Sequence, residues 1–119
     1  AAELEGVRAV APLFETRPHE GLAGPWRTRF EQRFGKEPSH IHAFSYDMVT
    51  IINDAAKRVE LPASSDQWLQ TIRATDMMGI TGPLRFDELG DLMTPVEIGV
   101  YRDGVLVPDE QILRAGNTK

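Results

Sequence analysis

Cysteine is absent from the 119 residues, and histidine occurs only three times. Without thiols the chain has no disulfide framework, no thiolate metal site and no cysteine nucleophile. Its compartment stays open, because such a chain is at ease in either redox environment. Long apolar runs are missing too: no stretch approaches the roughly 18 uninterrupted apolar residues of a membrane span. There is no basic run either. Thirteen Lys and Arg against eighteen Asp and Glu leave a net charge of −5 and a pI of about 5.1. That balance gives no electrostatic footprint for nucleic acid and disfavours adhesion to an anionic membrane surface. A neutral small molecule, or a partner with a basic patch, remains compatible with the charge. The chain opens AAELEGVRAV, with no initiator Met, basic n-region or long apolar h-region. Ala1 is therefore expected to be a processed end or an artificial boundary rather than a translation start.

What is present is ordinary globular composition, 41% hydrophobic and 26% charged, which argues against a disordered chain. The length favours one domain or part of one. Residues 5–13 carry Val7, Ala9, Val10 and Leu13 in a short apolar run ended by Pro12, expected as a buried strand passing into a crossover or loop. A loop-like stretch follows, then a helix with Pro25 in its first turn. Leu22, Trp26, Phe30 and Phe34 recur at i+4 as one apolar stripe, with Arg27, Arg29, Glu31 and Arg33 expected outward. Gly35 is the expected stop.

Ser39 is a candidate N-cap for the longest helix, residues 39–59. Ile41, Phe44, Met48, Ile52, Ala55 and Val59 step along one face, and Val49 and Ala56 widen it, so coverage on more than one side is expected. Ser64 with Gln67 forms a capping-box pattern opening a third helix that buries Trp68, Leu69 and Ile72. From Met78 the period changes. Residues 78–86 alternate as in a strand kinked at Gly82-Pro83. Residues 87–91 form a turn, Val96 to Tyr101 alternate, and Asp103-Gly104 signals a hairpin into Val105-Leu106-Val107. The expected class is α/β, in the order β-α-α-α-β-β-β. Three consecutive helices between the first and second strands do not suit a single alternating parallel sheet. They suit a chain that leaves one sheet, packs helices elsewhere and joins another.

Chemistry-bearing clusters are sparse. His40 and His42, two apart on a helix, do not share a face and lack a third ligand at metal spacing. Asp87, Glu88 and Asp91 lack the alternating ligands and distal Glu of a calcium loop and fit turn chemistry. No serine has a nucleophile-elbow context, and Gly79 to Pro83 does not open onto a helix as a phosphate cradle would. The aromatic residues at helical spacing are expected as core rather than as a stacking platform. No catalytic constellation meets the geometric requirements of a site, and neither a cofactor nor a metal is expected.

From Pro38 to Pro108 a set of motifs occurs in one order: Pro38-Ser39, Phe44-Ser45-Tyr46-Asp47-Met48-Val49, Gly79-Ile80-Thr81-Gly82-Pro83-Leu84-Arg85-Phe86-Asp87, Gly90-Asp91 and Tyr101-Arg102-Asp103-Gly104. Together with Glu5-Gly6-Val7 and the helix ending Arg33-Phe34-Gly35-Lys36-Glu37-Pro38, it resembles the C-terminal third of the type I periplasmic solute-binding proteins of ABC transporters, the branched-chain amino-acid group. The resemblance implies a portion of a two-lobed, Rossmann-like type I periplasmic binding protein fold that closes on its ligand by hinge motion. Residues 1–12 and 96–119 would belong to the C-terminal lobe and residues 13–95 to the N-terminal lobe, with crossovers near Ala11-Pro12-Leu13 and Met93-Thr94-Pro95.

The function so implied is that of an extracytoplasmic receptor of an ABC importer, periplasmic and without catalysis. Its ligand would be an amino acid or a small organic or aromatic acid, its partner a membrane permease, and nucleic acid is not expected. The ligand-facing position five before Tyr46, often aromatic in that family, is Ile41 here. That departure counts against an amino acid and toward a different or larger apolar group. His40 and His42 flank Ile41 as polar contacts, with a core or rim role the alternative for each. Incomplete lobes would leave strand edges open, so self-association is expected. The rival is a ligand-sensing domain of a regulator or receptor with the same fold, distinguished by what is fused upstream.

Overall fold

Local sequence signals set most element ends in the computed structural model, which describes residues 2–116. After a single 3-10 turn at Ala2–Leu4 come β1 (Arg8–Pro12), α1 (Leu13–Thr16), α2 (Ala23–Phe34), α3 (His40–Arg58) and α4 (Ser65–Arg73). Then follow β2 (Asp76–Gly79), β3 (Gly82–Arg85), β4 (Val96–Arg102), β5 (Val105–Pro108) and α5 (Glu110–Gly116). Gly35 ends α2 in the left-handed conformation, φ 67°. Ser39 precedes α3 with extended backbone, and its N–H donates to His42 Nδ1 at 3.0 Å. Histidine thus takes the place Glu or Gln usually holds in a capping box. At α4, Ser64 and Gln67 exchange both bonds as expected. Asp103 (φ 52°) and Gly104 (φ 80°) turn β4 into β5, and both positive φ values suit the twist of a two-residue hairpin.

The strands form two separate antiparallel sheets, β1-β4-β5 and β2-β3. β1 lies against β4 with Val10 opposite Ile98, although 83 residues of chain separate Pro12 from Val96. The chain therefore does leave one sheet, pack helices elsewhere and return. Four expectations need correction. Residues 78–86 are not one kinked strand: Gly79 pairs with Gly82, and Ile80-Thr81 forms a tight turn. The first strand starts at Arg8, and the short helices α1 and α5 were not foreseen. α4 buries none of its residues: Trp68 and Ile72 are half-buried and Leu69 is exposed. α3 turns Ala43, Asp47, Ile51 and Ala55 inward, while Ile41, Met48, Val49 and Ile52 stay exposed. The inward face meets α1, α4 and the Ile80-Thr81 turn.

Asp47 explains the hairpin. Its carboxylate, in a residue 1% exposed, accepts from Ile80 N–H (3.0 Å), Thr81 N–H (2.8 Å) and Thr81 Oγ1 (2.6 Å). A buried charge is tolerated when donors satisfy it in this way. A Cβ on Gly79 would lie 2.6 Å from Leu84 Cδ1 and 2.7 Å from Asp47 Cγ, so only glycine lets the strand reach the carboxylate.

The main apolar cluster gathers Phe14, Ala23, Trp26, Ala43 and Ile80, with Phe30 packed against it. Arg27, expected outward, is buried in this region. Its guanidinium lies 4.0 Å from the Phe14 ring centroid and donates to the carbonyls of Phe14 (2.8 Å) and Pro38 (3.4 Å). Burial pushes it below its ordinary value, against the raising pull of Glu15, Glu37 and Glu31. The radius of gyration is 17.3 Å and the extents are 56 × 43 × 21 Å. A compact chain of this length would have a radius of about 13.5 Å. The molecule is flat and open.

Candidate functional site

The α2 stripe supplies one wall of a groove and the first two turns of α3 supply the other. Trp26, Arg29, Phe30, Arg33 and Phe34 face Ile41, His42, Ser45 and Tyr46 across a space of about 690 Å³. The rings meet in tilted or edge-on contacts along the groove: Trp26 to Phe30 at 5.2 Å, Phe30 to Phe34 at 4.6 Å and Trp26 to Tyr46 at 5.6 Å between centroids. Trp26 is buried at the inner end, and Phe34 is exposed at the outer end. Such mutual contacts hold aromatic rings in offset or edge geometry and leave an apolar lining. The expectation that these aromatics are all core therefore holds for Trp26 and fails for Phe34.

Ile41 projects from the first turn of α3 and is 65% exposed. His42 is half-buried, its ring 5.0 Å from Phe30. Because His42 Nδ1 accepts from Ser39 N–H, the neutral ring carries its proton on Nε2. His40 lies outside the groove. Its backbone N–H and its Nδ1 both meet Glu15 Oε1, at 2.7 and 2.9 Å, which ties the start of α3 to α1. The structure thus brings Ile41 and His42 together and points His40 elsewhere. The i+4 spacing of Arg29 and Arg33 in the sequence already placed them on one side of α2. Their position on a groove becomes visible only once α3 is packed beside it.

A second cleft, about 350 Å³, lies between Leu13 to Ala23 and the β2-β3 hairpin, with Arg17 and Glu20 on its rim. Arg17 makes two bonds to Glu97 of β4, at 2.8 and 2.9 Å, and Thr16 Oγ1 donates to the same carboxylate. Burial pushes the Glu97 carboxyl up, but the Arg17 and Thr16 hydrogen bonds outweigh it and hold the group below its ordinary value. Leu13 N–H also donates to Pro95 O. The segments by which the chain leaves the β1-β4-β5 sheet after Pro12 and rejoins it at Val96 are therefore bonded to each other. Among the described residues no three His, Asp or Glu side chains gather as a metal site, and no helix is long and apolar enough to cross a membrane.

No family model matches the sequence, and no curated protein is detectably similar to it. Solved structures are similar over nearly the whole chain. A putative branched-chain amino acid ABC transporter protein from Rhodospirillum rubrum is 27% identical over 88% of this chain, TM-score 0.69, covering 31% of that protein. An ABC transporter substrate-binding protein from Desulfitobacterium hafniense, in complex with Leu, is 22% identical over 90%, TM-score 0.74, covering 32% of its length. A solute-binding protein of an ABC transporter from R. palustris, in complex with benzoate, is 13% identical over 89%, TM-score 0.74, covering 29%. The fold is that of a partial type I periplasmic binding protein. The chain spans under a third of the length of these three proteins. Its two separate sheets, bridged by the Pro12 and Pro95 segments, are part of that periplasmic-binding-protein fold.

Proposed function

We propose that this chain is the C-terminal third of an extracytoplasmic solute-binding receptor of an ABC importer. The observation that carries this is the likeness in fold along 88–90% of the chain to proteins that serve such transporters. In this reading the β1-β4-β5 sheet belongs to one lobe, residues 13–95 to the other, and the bonded connections at Pro12 and Pro95 are crossovers. The ligand is a small amino acid or organic acid, aromatic acids included, as leucine and benzoate are for two of the similar proteins. Ile41 and His42 face it from α3, and His40 positions them through Glu15. The groove supplies shape, apolar rings and a few polar groups, which is what a binding pocket needs. Binding and release involve no chemistry, the receptor works in the periplasm, and its partner is a membrane permease.

Titration of the ¹⁵N-labelled chain with benzoate and with leucine tests this. The reading predicts saturable amide shifts at Ile41, His42 and Trp26 with at least one of the two compounds. An unchanged spectrum with both at millimolar concentration would contradict it.

A further inference from the structure

We propose that Arg29 and Arg33 select the ligand of the α2-α3 groove, gripping the carboxylate of a flat apolar monoanion and disfavouring a zwitterionic amino acid. This rests on the solute-binding reading and narrows it. The first support is the charge pattern. Arg8, Arg17, Arg58, Arg85 and Arg102 each sit on a carboxylate of this chain. Arg29 and Arg33 make no ion pair among the described residues, and no Asp or Glu lines the groove. Four residues apart on one helix, they set like charges side by side, an arrangement that destabilises a helix. An anion held between them converts that repulsion into two charge-assisted contacts.

The second support is the geometry of the walls. Arg33 lies 5.7 Å from the Phe34 ring centroid, so its planar, solvent-exposed fork sits at the edge of the apolar lining. A carboxylate on that fork places an attached ring among Phe30, Phe34 and Ile41. An α-ammonium in the same pose would face two guanidiniums. The acceptors it needs are scarce: His42 Nδ1 is occupied by Ser39 N–H, and the Ser45 hydroxyl donates to Ile41 O at 2.8 Å, leaving mainly hydroxyl lone pairs of Ser45 and Tyr46. The groove therefore complements an aromatic or branched aliphatic monocarboxylate better than leucine.

Calorimetric titration at low ionic strength tests the assignment with benzoate, the neutral isostere benzamide, and leucine. The wild-type chain is compared with the double variants Arg29→Gln/Arg33→Gln and Arg29→Lys/Arg33→Lys. Both residues are exposed, so the fold is retained, which circular dichroism checks. The expected result is benzoate binding weakened about tenfold or more in the Gln variant, partly restored in the Lys variant, with benzamide binding weakened much less than benzoate binding. Leucine should bind the wild type about tenfold more weakly than benzoate. Equal benzoate affinity in wild type and Gln variant, or tighter binding of leucine, overturns the selection by Arg29 and Arg33 while leaving solute binding standing. Wild-type chain that takes none of the three compounds overturns both.

Discussion

At the scale of single residues, Asp47 and Gly79 form one device that fixes the β2-β3 hairpin to α3. Replacing Asp47 with Ala strips three donors of their acceptor in a buried setting and should cost about 3 kcal/mol. Asn is expected to recover only part of that, because it turns an NH₂ toward a backbone N–H. Gly79→Ala should cost about 1–3 kcal/mol through the close contact with Leu84 and Asp47. Urea denaturation of the three variants checks both figures, and unchanged midpoints would remove Asp47 from this role. Sequence reading had Tyr46-Asp47 only as part of a motif, since nothing in a one-dimensional pattern says which carboxylate is buried. The same limit applies to Arg27: helical spacing placed it among outward residues, and only the position of the Phe14 and Pro38 carbonyls turns it inward. Ile41 and His42 were singled out from the resemblance, by their offsets from Tyr46, and the structure places both on one wall of the groove. The lining Arg29, Arg33 and Phe34 were not, because a groove is a property of two helices rather than of one.

At the scale of elements, two long-range ion pairs tie the three-stranded sheet to its neighbours. Arg17 of the α1 end holds Glu97 of β4, and Arg8 of β1 holds Asp109 at 2.6 Å, where Asp109 also accepts from Gln111 and Ile112 N–H at the start of α5. The Arg8 bond, opposed by burial and aided by these backbone donors, holds the Asp109 carboxyl below its ordinary value. Glu97 is depressed as well. A depressed carboxyl binds fewer protons in the folded state than in the unfolded one, so its contribution is present above the ordinary carboxylate value. It is lost as pH falls through the folded one. Urea midpoints should be flat between about pH 7 and 5 and drop below about pH 4. Glu97→Gln should lower the midpoint at neutral pH and flatten the acid limb. An acid limb as steep in Glu97→Gln as in the wild type would take Glu97 out of this account. Helix and hairpin boundaries were largely readable here, because Ser39, Ser64, Gly35 and Asp103-Gly104 carry local signals. The β2-β3 hairpin was not, since its turn residues Ile80-Thr81 are poor turn formers held by a distant carboxylate.

At the scale of the whole molecule, the flat shape follows from faces that this chain leaves uncovered. Val10, 70% exposed on β1, lies on a strand whose only sheet partner among the described residues is β4, so they leave the outer edge of the sheet open. Open edges template further pairing, and the exposed Met48, Val49 and Ile52 of α3 add apolar surface. Light scattering behind gel filtration should show a mass that rises with concentration, reduced by Val10→Lys. A strict monomer at high concentration would count against pairing through this edge. The order of strands and helices foreshadowed a chain that leaves one sheet and packs helices elsewhere, since three consecutive helices do not suit a single alternating parallel sheet. Which surfaces stay bare required the packed structure.

These 119 residues are proposed above to be part of a longer solute-binding receptor. An immunoblot of fractionated source cells, with antibody raised against this chain, tests it most directly. The expected result is a periplasmic band about three times the chain's 13.3 kDa, because the similar proteins are that much longer. A cytoplasmic band at the mass of the chain itself would contradict it.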